Sequence, residues 1–563
     1  MFEYIKNFLS INIAFLVILI VVAFSLYQKT INYELLQLDD HKFISNNILY
    51  ISNIKNIPKL FLQDVYYKST SNYYRPILSL SFFLETIIFG YHTQVYHITN
   101  ILLFIFSFYL IYLFCLKLQL NKNISKLCCL LFFVHPIFSS TAIWIAARND
   151  TLLVIFVLLS FINFINYITS NKSKYLIYTI IAFILALFTK ETAVVSVLFY
   201  FLLVYCFKYK ISKQQICKLF LEMFISLSIY FIFRGISGVH IDYLDILKNY
   251  KFIISNIFSY LFIYTEKFIL CEYIPVLTYN IQITNTMIYI SMSLLVIVIY
   301  SYLKSIIDRK KILFCFLWYI CLLFPTFIIV EQQLFFHRLL LPSVGIIIFL
   351  ILLIEYILKK YSISKKYLIV LFVLLFISLF YASLLQKDKY KTSQDFILNC
   401  YVDSKNRISD FLFINFLIDK GDYKKAKNLL EEKMKKQTTK RDILTYAKIL
   451  FFEGNIDDAE KIYLQLEKDL PNESIIYFGL SIIYYAKGNY TKSEEYIKKA
   501  HFLDKYDTNI LNQMALIYFA KEEYKKSLNI YENLLNLDKN NQNYKDKIKE
   551  LNKKLQIKEI KND

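Results

Sequence analysis

Long apolar segments, separated by short polar stretches, dominate the first 390 residues of the chain. A helix needs about 20 residues to cross the roughly 30 Å hydrocarbon core of a bilayer. About eleven segments reach or approach that length, so the pattern predicts an all-α fold that opens with a polytopic membrane bundle over residues 1–390. The predicted spans are 7–27, 95–116, 127–146, 150–168, 174–189, 192–207, 216–234, 285–304, 312–330, 338–358 and 366–386.

From about residue 400 the pattern changes to short amphipathic helices that repeat. Three turn segments begin at Gly454, Gly488 and Glu522, 34 residues apart, and a weaker copy begins at Gly421. This period resembles the tetratricopeptide (TPR) repeat, a helix-turn-helix unit that stacks into an α-solenoid with a concave binding face. We therefore predict a TPR domain over residues 400–555 that binds an acceptor or partner protein. A small residue precedes each of the three turns by seven positions, where two helices must approach closely: Ala447, Ser481 and Ala515.

Two regions of the first 390 residues do not fit this pattern. The segment 77–89 is too short to cross a bilayer, and we interpret it as an interfacial helix on the outer surface; if it crosses the bilayer instead, every later loop changes side. The region 235–284 reads as an outer loop with an amphipathic or re-entrant part. None of the nine cysteines has the spacing of a zinc site, and they imply no disulfide framework.

The lysine distribution sets the predicted orientation. The chain is 57% hydrophobic and carries a formal charge of +20, and Lys and Arg favour the cytoplasmic ends of membrane segments. We therefore attribute the basic charge to topology and predict no nucleic-acid partner. The TPR domain then lies outside, in the periplasm if the membrane is a bacterial plasma membrane, or in the lumen if it is the endoplasmic reticulum. The basic patch 387–391 is an exception, because it falls on the outer side. The other lysine-rich regions fall on the cytoplasmic side: 117–126, 172–174, 208–218, 304–311 and 359–366.

Ionisable residues at membrane depth are functional candidates, because burying a charge in hydrocarbon is costly. By the same topology count, acids and bases from distant parts of the chain meet at the outer face. The residues are Asp39, Asp40, Arg148, Asp150, Lys190, Glu191, His337 and Arg338.

Seven short motifs occur in order before the repeats. This order, followed by TPR repeats, resembles the transmembrane and TPR-containing O-mannosyltransferases and, more broadly, the GT-C glycosyltransferases. One departure is His337, which stands where that family has an acidic residue, so its role is open. The motifs are Asp39-Asp40, Tyr74-Arg75-Pro76, His97-x-x-Asn100, His135-Pro136, Ala147-Arg148-x-Asp150, Lys190-Glu191 and Arg338-Leu-Leu-Leu-Pro-Ser-Val-Gly345.

The resemblance implies an enzyme that moves a sugar, mannose in the named family, from a polyprenyl or dolichyl phosphate to an acceptor, with protein Ser/Thr hydroxyls expected. It implies Asp39 or Asp40 as the general base, and the two carboxylates could share a divalent cation; no other cofactor is expected. Cationic side chains would bind the donor phosphate: Arg75, Arg148, Arg338 and Lys190. The supporting polar residues would be His97, Asn100, His135, Asp150, Glu191 and His337.

Each motif also has a purely structural interpretation. An Asp pair can be solvated at a helix mouth, Arg75 can snorkel to the headgroups, and His135-Pro136 can form a kink with a satisfied imidazole. His97 and Asn100 can make a packing hydrogen bond, and Lys190-Glu191 a structural pair. If all of these hold, the chain is an inactive scaffold that anchors a TPR array. A transporter is a further alternative, although the chain shows none of the internal hydropathy symmetry typical of one.

Overall fold

The computed structural model describes residues 2–67, 73–239, 250–271, 274–276, 284–328, 335–361, 364–403, 407–436, 438–538 and 541–562. These residues form helices, turns and loops and no strand, so the all-α prediction is confirmed. The chain divides into two compact units. The apolar unit comprises Met1–Leu36, Pro58–Ser81 and Thr93–Ser404, and the repeat unit comprises Gln37–Ile57, Phe82–His92 and Lys405–Asp563.

The first fourteen of the described helices with ten or more residues precede the repeats. They are α1 (Phe2–Tyr27), α2 (Pro76–Phe89), α3 (Thr93–Lys117), α4 (Lys122–Phe133), α5 (Arg148–Ser170), α6 (Ser173–Thr189), α7 (Val197–Cys206), α8 (Lys213–Ile236), α9 (Tyr250–Leu270), α10 (Asn285–Leu303), α11 (Arg309–Leu323), α12 (Leu340–Tyr361), α13 (Lys365–Lys387) and α14 (Ser393–Asp403).

Eight helical segments of the described chain are long and apolar enough to cross a membrane, rather than about eleven. A ninth span results if Lys122–Phe133 and Pro136–Ile143, bent by 59° at the predicted His135-Pro136 kink, count as one. The predicted spans 174–189 and 192–207 correspond to helices shorter than 18 residues, Ser173–Thr189 and Glu191–Cys206. The count was too high because apolar composition continues where the helices break.

The region 235–284, interpreted as an outer loop with an amphipathic or re-entrant part, contains a long helix. Within it, α9 forms a helix of 21 residues, and residues 240–249, 272–273 and 277–283 lie outside the described part of the chain. The predicted interfacial segment 77–89 is helical as α2. The Glu266-Lys267 pair lies within α9.

The surface of α13 is apolar around most of its circumference. Only 6% of its most apolar stretch is buried within the chain. A helix that is hydrophobic all round is stable in a protein core or in lipid, but not in water. The surface of α13 is therefore compatible with a membrane protein. Its large exposed side chains include Ile369, Leu374, Ile377 and Leu385.

The basic patch 387–391, the exception to the predicted topology, has a structural use. Lys387, which is 8% exposed, donates a hydrogen bond to the carbonyl of Leu26 at 3.3 Å. Lys389 donates to the carbonyl of Ile274 at 2.8 Å. Each lysine therefore donates to a backbone carbonyl, one near the end of α1 and one in a loop, and the Ile274 carbonyl also accepts from the side chain of Gln386. The two lysines hold segments of the apolar unit together, which explains a basic cluster on the unexpected side.

The repeat unit contains α15 (Arg407–Asp419), α16 (Tyr423–Lys436), α17 (Lys440–Phe452), α18 (Ile456–Asp469), α19 (Ser474–Ala486), α20 (Tyr490–Leu503), α21 (Thr508–Ala520), α22 (Tyr524–Leu537) and α23 (Gln542–Asn562). The first eight form four helix pairs. In the last three pairs equivalent helices begin 34 residues apart, as the sequence predicts. The small residues Ala447, Ser481 and Ala515 are fully buried where the helices of a pair meet.

The turns of these pairs share a left-handed backbone. Gly454 and Gly488 have φ of +89° and +73°, a conformation that glycine adopts without strain. Glu522, at the equivalent position, takes φ of +59°. A residue with a Cβ has a cost of about 1–2 kcal/mol there, so the last turn is strained relative to the other two.

We predict that Glu522→Gly stabilises the repeat unit by about 1 kcal/mol, because it removes this strain. Gly488→Ala should destabilise it by a similar amount. A Cβ at Gly488 would meet no atom within 4 Å, so that variant reports on the backbone alone. Thermal unfolding of the purified full chain would measure both. Shifts of the same sign in the two variants would contradict the interpretation.

Candidate functional site

Charged side chains collect at one end of the helices of the apolar unit. They lie at the start of α5, after α6, at the end of α8 and before α12, and the lysine-rich loops lie at the opposite ends of the same helices. A helix of 22–24 residues spans about 35 Å, so a full helix length separates the two sets. We call this set the charged cluster: Arg75, Asp150, Lys190, Glu191, Arg234, His337 and Arg338.

The deepest contact of the charged cluster is an ion pair between Lys190 and Asp150. The Lys190 Nζ atom lies 2.7 Å from Asp150 Oδ1, and both side chains are at most 8% exposed. Asp150 lies in the first turn of α5, and Lys190 follows α6 in extended conformation. The Nε2 atom of His337 is 3.7 Å from the other carboxylate oxygen, which has no hydrogen bond among the described residues. Asp150 Oδ1 thus makes a close ion pair with Lys190, whereas Asp150 Oδ2 has no hydrogen bond among the described residues.

Glu191 faces two guanidinium groups. Nη2 of Arg75 lies 3.2 Å from its Oε2 atom, and Nη1 of Arg234 lies 3.9 Å from its Oε1 atom. The backbone N–H of Tyr74 also donates to Oε1 at 3.3 Å, and Arg234 donates to the hydroxyl of Tyr230 at 2.9 Å. A single carboxylate therefore fixes two arginines, one from the start of α2 and one from the last turn of α8.

Arg234 is a member of the charged cluster that the sequence analysis missed. It is 6% exposed in the last turn of an apolar helix. A lone arginine at such a helix end is usually explained by snorkelling to the headgroups. The signal that could have identified it is its place at the same helix ends as the outer-face motifs.

Arg338 has the least complete set of contacts in the cluster. Its guanidinium lies 5.1 Å from the centre of the Phe335 ring, and its buried Nη1 atom has no hydrogen-bond partner among the described residues. It is close enough to Lys190 and His337 to interact with both electrostatically. Arg338 therefore keeps a hydrogen-bond donor that can bind an oxygen of a ligand.

Close packing just after this segment holds Arg338 in place. A Cβ at Gly345 would lie 2.6 Å from the carbonyl oxygen of Cys315, so only glycine lets α12 approach α11 this closely. The indole of Trp318 in α11 donates to the carbonyl of Leu341 at 2.8 Å. These two contacts fix the start of α12, and with it the segment that carries His337 and Arg338.

The charged cluster has more positive than negative charge. Four cations, Arg75, Lys190, Arg234 and Arg338, face two carboxylates, Asp150 and Glu191. Among the described residues, the cluster therefore contains more cations than carboxylates. A largely buried site with such an excess attracts an anion, and arginine binds phosphate oxygens in bidentate geometry.

Arg148 lies outside the charged cluster and is surrounded by polar hydrogen-bond partners. It is fully buried, and its Nε, Nη1 and Nη2 atoms donate to Asn100 Oδ1 at 2.6 Å, Ser81 Oγ at 3.1 Å and the Tyr96 carbonyl at 3.0 Å. Asn100 in turn donates to the carbonyl of Trp144. These contacts give Arg148 and Asn100 a structural use at the start of α5, and the predicted contact of Arg148 with the donor phosphate stays a prediction.

His97 and His135, two of the three predicted histidines, also make structural contacts. His97 Nε2 lies 3.1 Å from the carbonyl of Tyr33. Both nitrogens of His135 have partners, because Nδ1 accepts from the N–H of Ile137 and Nε2 lies 2.8 Å from the carbonyl of Phe268. The His135 ring also stacks on the Phe268 ring at 4.9 Å. His135 thus matches the structural interpretation of a satisfied imidazole at a kink.

Asp39 and Asp40 belong to the repeat unit. Asp40 begins the short helix Asp40–Phe43 and is fully buried, whereas the Asp39 side chain is 26% exposed and lies 3.7 Å from Lys42 Nζ. Within the described chain, no group of three or more His, Cys, Asp and Glu side chains could hold a metal ion. The pair therefore offers two carboxylates and no third ligand of these types for the predicted cation.

Comparison with known proteins identifies the repeats. The tetratricopeptide repeat family model matches residues 417–481, which confirms the TPR prediction for that region. Among solved structures, MamA 41-end from Desulfovibrio magneticus RS-1 aligns with 14% identity over 27% of this chain and 86% of its own length, with a TM-score of 0.21. The chain matches no curated protein.

We predict that Asp150→Asn destabilises the apolar unit by about 3–5 kcal/mol, because it leaves Lys190 buried without its counter-charge. Combining it with Lys190→Met should restore most of the loss. The matched control is Glu355→Gln in α12, which breaks an ion pair with Lys359, itself 76% exposed; its effect should be below about 1 kcal/mol. Thermal unfolding of the purified chain measures all three, and equal effects of Asp150→Asn and Glu355→Gln would contradict the prediction.

Proposed function

We propose that the protein is a membrane glycosyltransferase that moves a sugar from a polyprenyl or dolichyl phosphate to an acceptor hydroxyl on the outer face of a membrane. The observation that carries the proposal is the positive excess of the charged cluster at the ends of long apolar helices. A lipid-linked sugar phosphate has the matching chemistry, since its phosphate is anionic and its chain is apolar. The resemblance to the O-mannosyltransferases makes mannose the expected sugar.

Arg338 is the leading candidate for the donor phosphate, because its Nη1 atom is buried and has no hydrogen bond in the described structure. Arg75 is the second candidate, although Glu191 already binds it. Lys190 is held by Asp150, so it contributes positive charge to the site and not a free hydrogen-bond donor. The phosphate would therefore bind next to Arg338, with the other cations supplying the field.

The transfer needs a base for the acceptor hydroxyl. The hydroxyl oxygen would attack the anomeric carbon, the bond from that carbon to the phosphate oxygen would break, and the phosphate would leave with the bonding electron pair. The hydroxyl proton would pass to a carboxylate, Asp39 or Asp40. Asp39 is the better candidate because its side chain is partly exposed, whereas Asp40 is fully buried.

The TPR repeats would bring the acceptor to the enzyme. Such arrays bind extended peptides on a concave surface, which suits a protein whose Ser or Thr hydroxyl is the acceptor. The lysine-rich loops favour the cytoplasm, so the charged cluster and the repeats would face the periplasm or the lumen of the endoplasmic reticulum. The amino-acid composition favours a bacterial plasma membrane over the endoplasmic reticulum.

A second candidate function is a scaffold without catalysis. The match to the TPR family favours it, because such repeats mediate protein interactions. In this alternative the apolar unit anchors the repeats, and the charged cluster serves only its own stability. The two functions differ in whether sugar moves.

Sugar transfer in membranes separates the two functions. We expect label from radiolabelled polyprenyl-phosphate mannose to enter protein with the wild-type chain. Asp39→Asn should abolish this transfer at matched expression if Asp39 is the base, and Asp40→Asn should do so if Asp40 is. A wild-type chain that transfers no sugar from mannose, glucose or galactose donors, yet retains partner proteins through its repeats, would support the scaffold.

Arg338→Gln tests the phosphate site. Loss of a hydrogen bond to a charged oxygen is worth about 1.5–3 kcal/mol, so we expect kcat/KM for the donor to fall by roughly 10- to 100-fold. The control is Arg309→Gln, an exposed arginine at the lysine-rich end of the helices, which should leave kcat/KM unchanged. An unchanged kcat/KM in Arg338→Gln would place the phosphate elsewhere.

A further inference from the structure

The loop that carries Asp39 and Asp40 is part of the repeat unit, although more than 350 residues separate it from the repeats in sequence. Residues 37–57 and 82–92 form one compact unit with the TPR helices. The repeats are therefore more than a domain joined to the end of the chain. The repeats also provide the surface against which this loop packs.

Specific contacts join the loop to the last TPR pair. The ring of Tyr50, which is 2% exposed, packs edge-on against the ring of Tyr506 at 4.9 Å. Tyr506 lies in the turn between α20 and α21, and the helical turn Ser45–Asn47 packs against α21. The contact is thus made by the two rings, of which Tyr50 is buried, and by an adjoining helical turn.

A cavity of about 380 Å³ lies on the same side of the repeat unit. Its wall combines the loop, through Ile48 and Ser52, with the end of α22, through Asn536 and Leu537, and with the end of α2. The loop therefore approaches two successive inter-repeat regions, beside α21 and after α22.

The hydrogen bonds inside the loop connect this contact to the Asp pair. The N–H of Ile44 donates to the carbonyl of Asp40 at 3.0 Å, and the side-chain amide of Asn47 donates to the carbonyl of Lys42 at 2.7 Å. His41 Nδ1 lies 2.7 Å from the hydroxyl of Ser45. Residues 40–47 are consequently a compact hydrogen-bonded segment, with the carboxylates at one end and the contact with α21 at the other.

We propose that the last TPR pair, through Tyr506, positions the Asp39–Asp40 loop for glycosyl transfer. This inference rests on the proposed function. Tyr506 is a positioning residue, because it acts through Tyr50 and the segment 40–47 and not on the substrate. A partner that binds the repeats and shifts α21 would then alter the position of the Asp39–Asp40 loop.

Hydrogen exchange of the full chain in lipid nanodiscs tests the proposal. Loss of the Tyr50–Tyr506 ring contact in Tyr506→Ala should speed amide exchange in residues 38–47 by about tenfold. Tyr506→Phe retains the ring and should exchange like the wild type. The control is Tyr490→Ala, which removes a ring contact with Tyr485 inside the repeats and should leave residues 38–47 unchanged.

Enzyme kinetics test whether the position of the loop matters for sugar transfer. Tyr506→Ala should lower kcat several-fold with the KM for the polyprenyl-phosphate sugar unchanged, because the donor phosphate binds in the apolar unit. Tyr506→Phe should restore kcat. If Tyr506→Ala also speeds exchange throughout 440–537, the repeats have unfolded, and Tyr506→Leu replaces it in both measurements.

The outcomes separate this inference from the proposed function. Unchanged exchange of residues 38–47 in Tyr506→Ala would overturn the positioning of the loop, whatever the transfer assay gives. Faster exchange with no sugar transfer by the wild-type chain would overturn the proposed function, and the role in transfer with it. Faster exchange together with a lower kcat would support both.

Discussion

The structure depends on the need to compensate charges that are removed from water. A buried cation without a partner costs several kcal/mol, and the charged cluster gathers four cations, Arg75, Lys190, Arg234 and Arg338, at the ends of the helices of the apolar unit. Asp150 fixes Lys190 and Glu191 fixes Arg75 and Arg234. Because these partners come from different helices, compensation ties α2, α5, α6 and α8 to one another at a single end of the bundle. The close packing of α11 and α12 around Gly345 adds Arg338 to the same place.

Elsewhere the chain meets the same requirement in other ways. Lys387 and Lys389 donate hydrogen bonds to backbone carbonyls. Arg148 donates to a side-chain amide oxygen, a hydroxyl and a backbone carbonyl. In the TPR helices the lysines and glutamates remain at or near the surface, where an ion pair contributes little, and small buried residues such as Ala447 and Ala515 determine how closely the helices pack. The charged cluster instead combines depth with an Arg338 donor that has no hydrogen bond among the described residues.

The sequence allowed the prediction of features that leave a local or periodic signal. The 34-residue period, the small residues before each turn and the kink at His135-Pro136 are of this kind. Topology counting also placed Asp150, Lys190, Glu191, His337 and Arg338 at the same helix ends. It missed Arg234, because one arginine in an apolar helix carries no pattern. It could not assign Asp39 and Asp40 to the repeat unit either, since that depends on contacts between segments far apart in sequence, such as Tyr50 with Tyr506. The number of spans was overestimated because hydropathy does not show where a helix ends.

The incomplete compensation bears on the choice between enzyme and scaffold. An anchor for a TPR array needs only apolar packing, and replacing a buried ion pair by apolar residues of similar size is often neutral or stabilising. A scaffold would gain nothing from a buried Arg338 nitrogen and an Asp150 oxygen that both lack hydrogen bonds among the described residues. Under the proposed function, the phosphate of the donor would accept a hydrogen bond from Arg338 and offset the charge of the cations around it.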